Sequence, residues 1–190
     1  MSVTTPAEAR VLAELADLYE ERAGRPYGLS EVNQRLHGVQ AAWHARRLGA
    51  APSLVAAALL HDVGHMVHGL GEHPAAAGVD DRHEELGAAW LARVFGAAVI
   101  EPVRLHVAAK RYLCATERGY FARLSRDSVE SLALQGGPMS PMEVDAFRRN
   151  PWWRDAVALR RLDEAAKDPR GPQPPFPTFR EELVAALRAR

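Results

Sequence analysis

The stretch Leu59-Leu60-His61-Asp62-Val63-Gly64-His65 carries the strongest indication of fold and function in this chain. An imidazole and a carboxylate at adjacent positions can bind one metal ion, and the second carboxylate oxygen can bridge to another ion. His65 follows His61 by four residues, so both lie on one helical face. Burying an unpaired His-Asp pair costs roughly several kcal/mol, and a metal ion would offset that cost. The alternative is a helix-terminal cap with a surface salt bridge.

Other isolated polar residues lie within helical, largely apolar patterns. Each has an ordinary interpretation: a lone helical histidine usually bonds a neighbouring group, and a charged helix residue usually faces water. Together with Asp62 they would supply the ligands of a buried two-metal site. Histidine and carboxylate ligands suit iron, manganese, zinc or nickel better than copper(I). The additional candidates are His37, His83, His106 and Asp163.

Composition excludes several classes of protein. The 190 residues carry 24 basic and 24 acidic side chains, so no net charge favours nucleic acid or an anionic membrane. The longest apolar run, Leu54 to Leu60, is too short to span a bilayer. The single cysteine, Cys114, excludes an intrachain disulfide and is typical of a reducing cytoplasm. The first ten residues show no signal-peptide pattern.

The sequence predicts an all-α fold in a single domain, 1–190, with a core at about 27–165. Alanine, leucine, arginine and glutamate dominate, and alternation typical of strands is nearly absent. Glycines and a proline between Gly64 and Gly78 predict a long functional loop. Ser140 to Glu143 and Thr178 to Glu181 have the spacing of helix caps. We predict helices at about 7–22, 31–48, 52–62, 83–95, 98–113 and 127–134, a helix that starts at Pro141, another that starts at Pro151 and carries Asp163, a last helix at 178–189, and a proline-rich extended connector at 169–177.

The order His37, His61-Asp62, Asp163 resembles the signature of the HD-domain superfamily. That resemblance implies a helical bundle with a dimetal site in its core. Two longer strings are more specific: the residues from His106 to Leu113 (HVAAKRYL) and the QGGPM segment ending at Met139 resemble the PhnZ-type oxygenases. Enzymes of that type are mixed-valence diiron proteins that use O2 to cleave the carbon–phosphorus bond of 1-hydroxylated aminophosphonates.

The resemblance implies a ligand set and a substrate site. Asp62 would bridge two iron ions, Fe(II) and Fe(III). One iron would bind His37, His61, Asp62 and Asp163, and the other Asp62, His83 and His106. The implied catalytic residues are Asp62, His65 and Lys110. The implied substrate contacts are Tyr27, His65, Lys110, Ser128, Ser131 and Arg160. The products would be phosphate and a carboxylic acid, glycine or glycine betaine.

One departure bears on the substrate. Amine-binding relatives carry a glutamate seven residues before the first histidine, where this chain has Ser30, with Glu31 one residue later. A shift of one residue turns a helical side chain by about 100°. The missing carboxylate favours a quaternary amine, which prefers aromatic faces to hydrogen-bond acceptors. Tyr27, Trp43 and Tyr112 are the candidate aromatic contacts.

Two other functions fit the same ligands. The first is an HD-type phosphohydrolase that activates water on a divalent ion and acts on a small phosphate ester or nucleotide. The second is a non-catalytic, metal-stabilised helical binding protein. In every case we expect no nucleic-acid or membrane partner and a monomer or small homo-oligomer.

Overall fold

The computed structural model describes residues 4–21, 32–67 and 78–189. In these ranges the chain is helical and contains no strand, as predicted. Tyr27, Ser30 and Glu31, and most of the predicted loop between Gly64 and Gly78, lie outside them. The helices are α1 (Pro6–Glu21), α2 (Gln34–Arg47), α3 (Pro52–Leu60), α4 (Val63–Val67), α5 (His83–Leu91), α6 (Ala97–Thr116), α7 (Arg126–Leu134), α8 (Pro141–Arg149), α9 (Trp153–Ala165) and α10 (Arg180–Arg188), with short 3-10 turns at Phe121–Arg123 and Phe176–Phe179.

Several helices begin where the local sequence supplies a cap. Asn33 accepts the backbone N–H of Leu36 at the start of α2, and Ser125 accepts that of Ser128 at the start of α7. Ser140 and Glu143 form the predicted capping box of α8. The predicted cap at Thr178 is wrong, because Phe176–Phe179 is a 3-10 turn and α10 starts without a side-chain cap.

The core is formed by α2, α3, α6 and α9, which pack on one another, with α5 against α6 and α10 against α3. The closest approach of α2 to α3 occurs at Gly38. A Cβ at that position would lie 2.6 Å from the carbonyl oxygen of Leu59, so only glycine allows this spacing. Tyr19 of α1 donates its hydroxyl proton to the same carbonyl. The C-terminal end of α3, which holds the His-Asp pair, is thereby fixed against its neighbours.

Several predicted boundaries differ from the structure, among them the end of the fourth helix, which was predicted at residue 95 and lies at Leu91. Residues 63–67 form the helix α4 instead of the start of a loop, because Val63 and Met66 are buried against the core. Helix α6 continues beyond Leu113 to Thr116, although Pro102 removes one backbone donor inside it. Helix α9 begins at Trp153, two residues after the proline that was predicted to start it.

Two of the candidate aromatic contacts pack against other residues of the structure. Trp43 packs against the main hydrophobic core. Tyr112 belongs to a second cluster, with its ring centroid 5.1 Å from that of Phe147 and its hydroxyl accepting from Arg148. The ring of Tyr112 is buried and that of Trp43 is partly buried, while Tyr27 lies outside the described residues, so all three contacts stay predictions. Among the described helices, none is both long and apolar enough to cross a bilayer.

Candidate metal centre

Six side chains from separate elements converge at the centre of the helices. His61 and Asp62 lie in the turn between α3 and α4, and the other four come from α2, α5, α6 and α9. All are at most 8 % exposed. The structure therefore brings together every metal ligand that the sequence suggested: His37, His61, Asp62, His83, His106 and Asp163.

The four imidazoles are arranged in two pairs. The Nε2 atoms of His37 and His61 are 3.0 Å apart, and those of His83 and His106 are 3.1 Å apart. Two ligands that bind one ion at about 2.1 Å and at right angles are separated by about 3 Å. Asp163 completes the first pair, with its Oδ1 3.3 Å from Nε2 of His37. Each pair has the spacing of two ligands of one ion.

Asp62 lies between the two pairs. Its Oδ2 is 3.5 Å from Nε2 of His37, and its Oδ1 is 3.7 Å from Nε2 of both His83 and His106. Oδ2 is buried, and no donor among the described residues forms a hydrogen bond with it. A buried carboxylate oxygen without a donor would be costly, and a metal ion between the pairs would satisfy it.

The outer nitrogens of the imidazoles fix their orientation. The Nδ1 atoms of His37, His61 and His106 lie 3.0, 2.9 and 2.7 Å from the backbone oxygens of Ala166, Ala58 and Val103. A carbonyl only accepts, so each Nδ1 carries the proton and each Nε2 presents a lone pair to the centre. Metal-binding histidines are held by outer hydrogen bonds of this kind. The donor set therefore fits a metal ion.

Asp81 holds the fourth imidazole and was missed from the sequence. Its Oδ1 accepts from Nδ1 of His83 at 2.9 Å, and its Oδ2 lies 2.9 Å from Nδ1 of His65. The residue before the ligand, Arg82, has a left-handed backbone with φ of 48°, which is unusual for a residue other than glycine. This turn brings the carboxylate of Asp81 against the imidazole of His83, which is the first residue of α5. A carboxylate two residues before a candidate ligand was the available signal.

His65 lies on the same side of the centre. Its ring stacks on that of His83 at 4.0 Å, and the ligand atoms of Asp62, His65 and His83 all lie within 4.8 Å of one another. His65 is therefore also placed to bind the second ion, where the resemblance implies His106. We keep His106, because its Nε2 is the atom 3.1 Å from that of His83 and its Nδ1 is already bonded to the backbone.

The ionisable groups of the centre shift one another's pKa values. Burial acts to raise the pKa of Asp62, but the imidazoles of His61, His65 and His37 outweigh it and hold that pKa below its usual value. Burial and the neighbouring His83 lower the pKa of His106. Burial acts likewise on His83, but the bond to Asp81 reverses the effect and raises its pKa to about 9. Metal binding at His83 should therefore release a proton.

Removing the carboxylate of Asp81 should weaken the ion bound by His83. We expect Asp81→Ala to lower the affinity for that ion by about 10-fold to 100-fold, as loss of an outer partner of a metal-binding histidine typically does. Asp80→Ala is the matched control, because Asp80 is the exposed neighbour. Competition with a chelator measures both affinities. Equal affinities in the two variants would contradict a supporting role for Asp81.

A cluster of cations and hydroxyls adjoins the first pair of imidazoles. Lys110 donates to Oγ of Ser131 at 2.7 Å, and Arg160 donates through Nη2 to Oγ of Ser128 at 3.1 Å. Lys167 lies 3.3 Å from the same Ser128 oxygen. We call these five residues the cationic cradle. It contains four of the predicted substrate contacts, Lys110, Ser128, Ser131 and Arg160.

The cradle and the metal centre share Asp163. Arg160 donates through Nη1 to Oδ2 of Asp163, and Lys167 lies 3.2 Å from Oδ1. Arg160 is in turn held by the hydroxyl of Tyr120, which accepts from its Nε at 3.2 Å. Sequence analysis missed Lys167 and Tyr120. The signal for Lys167 was its position four residues after Asp163, the same spacing as Lys110 after His106.

Comparison with known proteins bears on the family. The model of the HD domain matches residues 36–140. The glycine-betaine-forming 1-hydroxy-2-(trimethylamino)ethylphosphonate dioxygenase of Leisingera caerulea is 44 % identical over 153 residues, which cover 80 % of this chain and 78 % of that protein. The hydroxymethylphosphonate dioxygenase of Gimesia maris is 43 % identical over 166 residues, which cover 86 % of this chain and 80 % of that protein.

The chain therefore belongs to the HD-domain family, and within that family to the PhnZ-type phosphonate dioxygenases. This confirms the resemblance and the all-α fold. The individual metal and substrate contacts, and the extent of the domain, stay predictions. The geometry above makes the cluster a candidate metal site.

Proposed function

We propose that this chain is a diiron dioxygenase that cleaves the C–P bond of a 1-hydroxyalkylphosphonate. The supporting observation is sequence identity to two proteins that are both named phosphonate dioxygenases. The identities are 44 % and 43 %, over 80 % and 86 % of this chain. The reaction balances as one hydroxyphosphonate dianion and one O2 giving one carboxylate, one hydrogen phosphate dianion and one proton. Iron fits the histidine and carboxylate ligands and would supply the chemistry with O2 when bound.

The protein's own residues would bind and orient the substrate. The cationic cradle would receive the phosphonate, because charged donors form the strongest hydrogen bonds to such oxygens. Asp163 contacts both Arg160 and the imidazole of His37, so it would hold the cationic cradle, and the phosphonate bound there, beside the first ion. His65 is held by Asp81 on one ring nitrogen and would contact the substrate through the other. Burial of Lys110, Ser128 and Arg160 lowers the local dielectric constant and so strengthens each interaction.

The first candidate substrate is the trimethylammonium compound, and hydroxymethylphosphonate is the second. Ser30 replaces the carboxylate that would bind a primary amine, and one relative is named for the trimethylamino substrate. The other relative is named for a substrate without any amine. Cleavage of hydroxymethylphosphonate would yield formate by the same balance. A reducing cytoplasm remains the expected compartment, on the evidence of the single cysteine.

The test compares three substrates with and without O2. Iron-loaded protein is incubated with 1-hydroxy-2-(trimethylammonio)ethylphosphonate, its primary-amine analogue and hydroxymethylphosphonate. Consumption of O2 and release of phosphate are recorded together. We expect one phosphate for each O2, no release under anaerobic conditions and little turnover of the primary amine. Metal analysis and EPR before and after substrate addition measure the iron content and valence.

The phosphohydrolase alternative predicts the opposite dependence on O2. An HD phosphohydrolase would use the same ligands to activate water. It would therefore release phosphate from a phosphomonoester under anaerobic conditions. Rapid anaerobic release from such an ester, with no O2 consumption on any hydroxyphosphonate, would refute the dioxygenase proposal.

The charge of Lys110 should make substrate binding depend on pH. Burial, and then the charge of Arg160, lower the pKa of Lys110 to about 7. The ammonium form binds the phosphonate, so binding should weaken as the pH rises through this value. We expect the KM to rise by about tenfold between about pH 7 and about pH 9, and Lys110→Arg, which stays charged, to remove most of that rise. Identical profiles for the two proteins would contradict the role of Lys110.

A further inference from the structure

The carboxylate of Glu164 lies where three donors of the cationic cradle meet. Its Oε1 accepts from Nη2 of Arg160 and lies 3.1 Å from Nζ of Lys167 and 3.4 Å from Oγ of Ser128. The resemblance assigns Arg160 and Ser128 to the substrate phosphonate. A carboxylate and a phosphonate cannot both occupy these donors, so one must displace the other.

We propose that Glu164 is a built-in competitor for the anion subsite, and that Lys167 is the third cation of that subsite. This inference rests on the proposed function in one respect: it takes the cradle as the phosphonate site. In the substrate-free protein the Glu164 carboxylate neutralises the donors. Binding of an oxyanion drives the carboxylate outward and leaves Arg160, Ser128 and Lys167 to the ligand.

The burial of these groups distinguishes them from an ordinary surface ion pair. The side chains of Lys167 and Glu164 are 13 % and 18 % exposed, and that of Arg160 is 5 % exposed. The donors also come from two helices, since Ser128 lies on α7 and Arg160 on α9. Exposed pairs within one helix contribute little to stability. Glu164 lies at the partly exposed rim, so its side chain can turn to solvent.

The charge of the cradle supports displacement. With Glu164 in place and Lys110 in its ammonium form, the three cations Lys110, Arg160 and Lys167 face two carboxylates, those of Asp163 and Glu164. When the Glu164 side chain turns to solvent, only the Asp163 carboxylate faces the three cations, and the cradle has a net charge of plus two. That excess matches a phosphonate or phosphate dianion. Without Lys167 the excess would fall to one.

Inorganic phosphate is the probe, because it is largely a dianion just above neutral pH and does not require turnover. Calorimetry measures its Kd for the metal-loaded wild type, Glu164→Gln and Lys167→Gln. We expect Glu164→Gln to bind phosphate at least about threefold more tightly, because a neutral amide competes poorly for charged donors. We expect Lys167→Gln to bind about tenfold more weakly, and Lys167→Arg to stay within about threefold of wild type.

Glu130→Gln is the matched control, because Glu130 pairs with Arg126 on the exposed face of α7. It should leave the Kd unchanged. If Glu164 only positions Arg160, Glu164→Gln will bind phosphate no tighter than wild type, and the inference is wrong. An unchanged Kd in Lys167→Gln, or no phosphate binding by the wild type, also overturns it. Thermal unfolding checks each variant, and Glu164→Gln alone suffices if Lys167→Gln does not fold.

Assays of O2 consumption on the same samples separate the two hypotheses. If the wild type consumes no O2 with any hydroxyphosphonate, the proposed function fails. The phosphate affinities still decide whether Glu164 competes for the cradle, whatever reaction the centre performs.

Discussion

Asp62→Asn should abolish the two-metal centre. The amide has one acceptor oxygen and no charge, so it cannot bridge two cations from between the imidazole pairs. We expect the metal content to fall from two ions to at most one. We also expect O2-dependent cleavage to fall by at least about 10³-fold, because loss of one metal position would raise the activation free energy by several kcal/mol. Metal analysis and O2 consumption measure the two effects.

Asp145→Asn is the control for this prediction, since Asp145 is an exposed carboxylate on α8. It should retain two ions and full activity. An Asp62→Asn protein that also retains both ions would contradict the assignment of Asp62 as the bridge. The non-catalytic alternative makes its own prediction: His61→Ala and Asp62→Ala would prevent folding, while Lys110→Ala and Arg160→Ala would change no measurable property with any phosphonate.

Three of the ligands could be predicted because they stand out from apolar neighbours, whereas His83 and Asp163 have charged neighbours and were assigned through the order of the ligands in the family signature. His61 and Asp62 directly follow five apolar residues, and His106 lies in a largely apolar stretch of its helix. Such contrast indicates a buried polar group that needs a partner. The order of the ligands along the chain then matched a known signature. The structure adds the distances, which no sequence pattern provides.

Asp81 could not be recognised in this way because its sequence neighbours are polar, and Lys167 could not because a charged residue just after a helix usually faces water. Asp81 follows another aspartate and precedes Arg82, a pattern that indicates a solvated helix start. It is buried only because α5 packs on α4 and encloses the turn. Trp43 shows the reverse situation: an aromatic residue suggested a binding face, and the structure packs its partly buried ring against the main core. Tertiary packing decides both cases.

The short helix α4 was missed because five residues cannot form a stable helix alone. Isolated helices of this length are unstable in water, so local sequence does not predict them. Here the buried side chains of Val63 and Met66 hold the turn against the core. Glycine at position 64 suggested a loop, but in the structure it allows α5 to approach.

Gly64→Ala should disrupt that approach and the second metal position with it. A Cβ at residue 64 would lie 2.0 Å from the carbonyl oxygen of His83 and 2.7 Å from its carbonyl carbon. Both are backbone atoms, so α5 would have to move and carry the His83 imidazole away from that of His106. We expect a loss of about 3 kcal/mol or more in the free energy of unfolding, at the upper end of overpacking costs, together with weaker binding of the ion at His83.

The matched control separates this clash from backbone strain. Gly49 has a φ of 69°, and a Cβ there would meet no atom within 4 Å. Gly49→Ala should therefore lose only about 1 kcal/mol, from the strained conformation alone, and keep both ions. Denaturant unfolding and metal titration compare the two variants. Equal destabilisation would mean that α5 can shift freely, and the close packing of α4 on α5 would then not be what positions His83. Gly64→Ala should be the more destabilising variant, because its Cβ meets backbone atoms of α5. A displaced backbone atom moves the whole helix that carries His83, whereas a flexible side chain could turn aside.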